Sequence, residues 1–151
     1  MGTILCATRG GEASYRTQDA AIALARDRGD ELCFLYVVDL HFLDKTAEPI
    51  VVDVEGELVK MGEFLLVMAQ ERAAAQGVTA QTVVRQGQIR QEMGAAARQM
   101  GATLIVLGRP AGSTAHFDED ALQSFADSLR AETGIDVYIL DRQIKEEGSR
   151  T

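Results

Sequence analysis

Two arginines stand where this sequence could do chemistry. Arg9 lies in "ILCATRGGEAS", directly after an apolar run and ahead of two glycines and an alanine-rich stretch with helical spacing; Arg109 lies in "TLIVLGRPAGST", after another apolar run and again among glycines. Glycine lets the main chain approach a phosphate closely, and amides at a following helix N-terminus bind its oxygens. A guanidinium fork matches phosphate or carboxylate. Arg9 and Arg109 therefore read in one of two ways: as a clamp for a small anion, or as a plug in which one of them pairs with Asp39 or with the acids Asp118 to Asp120. The acidic balance of the chain favours the plug.

Other reactive side chains offer less. His41 and His116 are the only histidines, near Asp39, Asp44 and Asp118, which is a metal-ligand vocabulary, but their spacing matches no metal motif, so no metal is expected. Cys6 and Cys33 sit inside apolar runs without CxxC spacing and read as buried structural thiols. Nucleophilic catalysis needs a Ser or Cys beside an activating base, and no GxSxG elbow is present, so no catalytic residue is assigned. Asp118 to Asp120 suit the first turn of a helix, where carboxylates favour the dipole and Asp118 could cap it. "MGTILC" has Cys6 where N-myristoylation wants Ser or Thr.

The elements that must position these residues alternate along the chain. "TILCA" (Thr3 to Ala7), "ELCFLYVV" (Glu31 to Val38), "TAQTVVR" (Thr79 to Arg85), "TLIVL" (Thr103 to Leu107) and "DVYIL" (Asp136 to Leu140) read as five strands with helical patterns between them. The second helix, about Val52 to Gln76, carries Leu58, Met61, Leu65, Met68 and Arg72 as its core-facing stripe. The third carries Ile89, Met93, Ala96, Ala97 and Met100, and the fourth Leu122, Phe125 and Leu129. Gly29, Gly77 and Gly101 each follow a helix, where a left-handed cap favours glycine. Alternating strands and helices, with strands apolar nearly throughout, predict a parallel sheet covered on both faces and wound by right-handed crossovers. Leu40 to Val52 is the longest predicted connection, and residues 142–151 form a charged tail after a single domain over 1–141.

Composition narrows the class. The chain of 151 residues is the size of one domain, and its 23 acidic against 15 basic side chains repel phosphate backbones and anionic lipid, so neither nucleic acid nor membrane is an expected partner. No apolar stretch reaches the roughly 18 residues of a membrane span, and no signal peptide opens the chain, so a cytoplasmic location is expected.

"ILCATRGGEAS", "ELCFLYVVD", "GATLIVLG" and "LRAETGIDVYIL", in this order over nearly the whole chain, resemble the universal stress protein family. The resemblance implies an α/β fold of the adenine nucleotide alpha hydrolase type: a doubly wound five-stranded parallel sheet of order 3-2-1-4-5 with helices on both faces. It also implies a dimeric, cytoplasmic protein, in one subgroup an ATP binder. For such sheets a ligand lies at the strand C-termini where the order reverses, here between strands 1 and 4. The candidate crevice is Ala7, Thr8, Arg9, Gly10, Val38, Asp39, Gly108, Arg109, Gly112 and Ser113.

ATP-binding relatives carry an acid at the end of strand 1. After strand 4 they carry Gly, two residues, Gly, nine residues, then Gly with Ser or Thr. Here the acidic position is Arg9, Ala111 stands for the second glycine unless Gly112 substitutes with a one-residue shift, and the Gly-Ser pair aligns approximately with Leu122 and Gln123. "RGGEAS" is also similar to the SGGxDS loop of ATP pyrophosphatases, but with Arg9 and Ala13 in place of its Ser and Asp. The resemblance thus predicts a non-catalytic dimeric stress-response binding or regulatory protein with a degenerate nucleotide site and no obligatory cofactor. The alternatives are a sensor of a small anionic or adenine-nucleotide ligand, or a weak ATP hydrolase using metal near Asp118 and Asp120. Val137, Tyr138, Ile139 and Leu140 of the edge strand, apolar on both faces, are the predicted homodimer interface.

Overall fold

The computed structural model describes the backbone of residues 2–8, 12–38, 48–108 and 115–140, and their side chains except at 12–13, 48–55 and 115–121. Five strands alternate with four helices: β1 (Thr3–Ala7), α1 (Glu12–Arg28), β2 (Glu31–Val38), α2 (Glu48–Ala75), β3 (Ala80–Gln86), α3 (Ile89–Gln99), β4 (Leu104–Leu107), α4 (Ala115–Thr133) and β5 (Asp136–Ile139). The strands form one sheet of order β3-β2-β1-β4-β5, and every pairing is parallel.

Strand alternation sends neighbouring residues to opposite faces, and each face has its own core. Ile4, Cys6, Phe34 and Val106 meet Ala21, Ile22 and Ala25 of α1 and Leu66, Ala69 and Ala73 of α2. Leu5, Cys33, Leu35 and Ile105 meet Met93, Ala96 and Ala97 of α3 and Ala126 and Leu129 of α4. A sheet buried on both faces explains strands without polar alternation. Gly29, Gly77 and Gly101 have φ of 72, 80 and 67°, the left-handed geometry their positions demanded, and Gly134 after α4 adds a fourth such cap that the sequence reading did not mark.

Helix α2 departs from expectation twice. It begins at Glu48, inside the stretch predicted as a connection over Leu40 to Val52, because Pro49 falls in its first turn, where a missing N–H breaks no helical bond. Residues 39–47 and the tail 141–151 lie outside the described residues. Its inward face is also not the predicted stripe: Leu66, Ala69 and Ala73 are buried while Met61 is half exposed, and Leu58, Leu65 and Met68 are only partly covered. Small residues decide this phase. A Cβ on Gly62 would enter the Tyr36 ring, approaching 3.0 Å from Cγ, so the helix lies close on β2 and turns its larger side chains away. Ile89 of the third stripe is likewise more exposed than predicted, at 37%.

Candidate functional site

The strand order places the reversal between β1 and β4, whose C-terminal ends carry Ala7, Thr8 and Gly108. Val38 ends β2 alongside. Of the predicted crevice residues these four are described; Arg9, Gly10, Asp39, Arg109, Gly112 and Ser113 lie outside the described residues.

The described part of the crevice rests on α1. Thr8 is 3% exposed; its amide donates to the Leu35 carbonyl at 2.9 Å, and its hydroxyl accepts from Gln18 Nε2 at 2.7 Å. Gln18 is equally buried, and its Oε1 meets no donor among the described residues. Thr17, next to it, is buried against Gly108: a Cβ on that glycine would collide with the Thr17 hydroxyl and lie 3.1 Å from its Cβ. Val38 is also buried, and its carbonyl accepts from Gly87 at 3.0 Å. Thr8 and Val38 therefore offer a ligand no free side chain, while Ala7 and Gly108 are each partly exposed at the strand ends.

Sequence reasoning passed over Thr17 and Gln18, although a signal was present. Gln18, Ala21, Ile22 and Ala25 share one helical face, so a glutamine there is a polar group on a buried stripe. The pair predicts a testable non-additivity. Thr8→Val strands the Gln18 amide and should cost on the order of 1 kcal/mol in urea unfolding, whereas Thr8→Val with Gln18→Leu removes both partners and should return most of it.

Leu122, the approximate place expected from the family resemblance for the phosphate-binding Gly-Ser pair of ATP-binding relatives, lies within α4 and packs on the second core together with Phe125. The side chains of His116 and Asp118 to Asp120 lie outside the described ones, as do His41 and Asp44. Among the described residues no group of three His, Cys, Asp or Glu side chains is placed to hold a metal ion. Cys6 and Cys33 are both buried free thiols. Burial, with a smaller contribution from Cys33, pushes the Cys6 thiol far up from its usual range, and burial raises Cys33 to about 11. Both are neutral at ordinary pH and unsuited to nucleophilic attack.

A second concavity, of about 410 Å³, lies between α1 and α2, lined by Asp19, Ile22, Arg26, Arg72 and Gln76 among others. Its cations are already engaged: Arg72 Nη2 meets Asp19 Oδ1 at 2.6 Å with its guanidinium 4.5 Å from the Tyr15 ring centre, and Arg26 Nη1 donates to Gln76 Oε1 at 3.1 Å. Arg72, predicted within the core stripe, instead ties α2 to α1.

At the sheet edge, Val137 is buried in its own subunit and Ile139 packs against the same core, leaving Tyr138 the most exposed of the four predicted interface residues at 38%, with Leu140 half-buried. Arg130 of α4 donates from Nη2 to the Val137 carbonyl at 2.8 Å and from Nη1 to Asp127 at 2.7 Å. No helix of the described residues is long and apolar enough to cross a membrane.

Comparison with known proteins agrees with this architecture. The sequence model of the Universal stress protein family matches residues 1–141. Universal stress protein YxiE of Bacillus subtilis is 31% identical over 121 residues, covering 70% of this chain and 76% of that protein. A universal stress protein family member from Burkholderia pseudomallei superposes with a TM-score of 0.68 at 28% identity, covering 92% of this chain and 95% of that one. Two more distant structures share the fold: a universal stress protein in complex with cAMP (TM-score 0.68, 21% identity, 93% and 97% coverage) and one from Archaeoglobus fulgidus in complex with dAMP (0.60, 14%, 93% and 98%).

Proposed function

The chain belongs to the universal stress protein family, and from that premise we propose that it is a non-catalytic binding protein whose crevice between β1 and β4 takes a small anionic ligand of nucleoside-monophosphate size and lacks a triphosphate cradle. The observation that carries this reading is Leu122. ATP-binding relatives have a Gly-Ser pair at approximately this place, where main-chain amides and a hydroxyl meet phosphate; here the Leu122 side chain packs on the core from α4. Gly108, partly exposed at the end of β4 and packed closely on Thr17, is the proposed point of main-chain approach. Two relatives of the same fold hold cAMP and dAMP, which supports an adenine monophosphate as the first ligand to try.

Arg9 and Arg109 belong to this proposal as the anion's cationic partners, each two residues past the end of a strand that borders the crevice. No obligatory cofactor or metal enters it, and the proposed setting is the cytoplasm. A homodimer across β5, centred on Tyr138, is its proposed assembly. Isothermal titration of purified protein with AMP, cAMP and ATP tests the reading. Monophosphate binding should be at least about tenfold tighter than ATP binding and should fall with Arg9→Ala. ATP bound more tightly than either monophosphate, or released as ADP and phosphate faster than without protein, would overturn it.

A further inference from the structure

Three of the large apolar side chains most exposed in the described structure lie together on α2: Met61 at 50%, Phe64 at 64% and Val67 at 49%. Phe64 and Val67 belong to a longer pattern, with Met61 beside it. Glu57, Lys60, Phe64, Val67, Glu71 and Ala74 recur at alternating spacings of three and four residues, and every one of them is exposed. The buried face of the helix is the opposite one, formed by Gly62, Leu66, Ala69 and Ala73. This helix thus carries two seams, one against its own sheet and one facing outward with the repeat that packs helix on helix.

The outward seam is complementary to itself. When two copies of it run antiparallel about a two-fold axis, Phe64 faces Val67 of the second copy, Lys60 faces Glu71, and Glu57 faces Ala74. Each contact occurs twice, as an isologous interface requires. Apolar meets apolar at the centre, opposite charges meet on either side, and no like charges are brought into register. A parallel arrangement would instead set Lys60 on Lys60 and Glu71 on Glu71. The geometry points to an antiparallel α2–α2 pairing of two copies of this chain, separate from the β5 edge and independent of the ligand reading. The seam from Glu57 to Ala74 is about 27 Å long, so the pairing is of the weak, concentration-dependent kind rather than obligate.

Sedimentation velocity over a range of concentrations up to about 1 mM tests it, because a weak two-fold contact shows as mass doubling with concentration. Phe64→Ser should abolish the doubling. Lys60→Glu and Glu71→Lys should each weaken it about tenfold, since each turns two symmetric attractions into repulsions. The double variant Lys60→Glu/Glu71→Lys should restore it to within a few-fold of the original. All three positions are solvent-facing, and circular dichroism melts should remain unchanged. An association step that Phe64→Ser leaves intact, no such step at any concentration, or a double variant as weak as the single ones would each overturn the pairing. A Tyr138→Asp variant separates this step from one at the sheet edge, because it should leave the α2 doubling in place; loss of that doubling would assign it to β5 and overturn the proposal.

Discussion

Phe34→Ala should lower the unfolding free energy by about 3–5 kcal/mol, the cost of a cavity left by a fully buried ring that its surroundings cannot refill. Phe34 is 0% exposed at the centre of β2, under α1 and α2 and between β1 and β3. Beside Ile22 and Leu66, the buried helix residues of its core cluster are alanines, Ala21, Ala25, Ala69 and Ala73, whose short side chains have nothing to extend into the space. Urea unfolding should show an earlier midpoint at an unchanged slope, which marks lost stability rather than a changed unfolded state. For a domain of this length the melting temperature should fall by roughly 6–20 °C. A loss under about 1 kcal/mol would mean that this face of the sheet is not packed as described.

Gly108→Val should cost about 3 kcal/mol and should also remove ligand binding at the crevice. The first β-carbon collides with the Thr17 hydroxyl and comes 3.1 Å from its Cβ and 3.3 Å from its Cγ2, so β4 or α1 must shift. That shift moves the main chain proposed to approach the ligand. Thr17→Ala combined with Gly108→Ala should cost less than the sum of the two single changes, since removing the hydroxyl relieves the closest overlap. Strict additivity in urea unfolding would show that the two residues do not press on one another.

Much of the scaffold was legible because its signals are local. β1 and β2 have the predicted ends, since the apolar runs "TILCA" and "ELCFLYVV" stop abruptly at polar or glycine residues. Helix ends announced themselves through Gly29, Gly77 and Gly101, positions that only a backbone without a β-carbon occupies cheaply. The strand order was implied by the family likeness, and the structure has that order. What local pattern could not convey was the phase of α2. Its periodicity is ambiguous because large apolar side chains run along two faces, and the face that packs is chosen by how closely Gly62, Ala69 and Ala73 let the helix approach, a property of fit rather than of hydrophobicity. The start at Glu48 was hidden for a related reason: Pro49 reads as a break unless the turn before it is known.

The candidate site was less legible. The two ends of the crevice lie about a hundred residues apart in the chain, and the strand pairing of Ile4 with Leu104 is what brings them side by side. Thr8 and Gly108 are legible from their places at strand ends; Gln18 is legible only as a polar residue on the apolar face of α1, and Thr17 only once the helix is laid on the sheet.

Arg130 alters what can happen at the outermost strand. Since its guanidinium already serves the Val137 carbonyl, a newcomer strand that claimed this carbonyl would have to displace a resident donor. Such a latch disfavours accidental sticking by unrelated chains while leaving the edge open to a match able to outbid it.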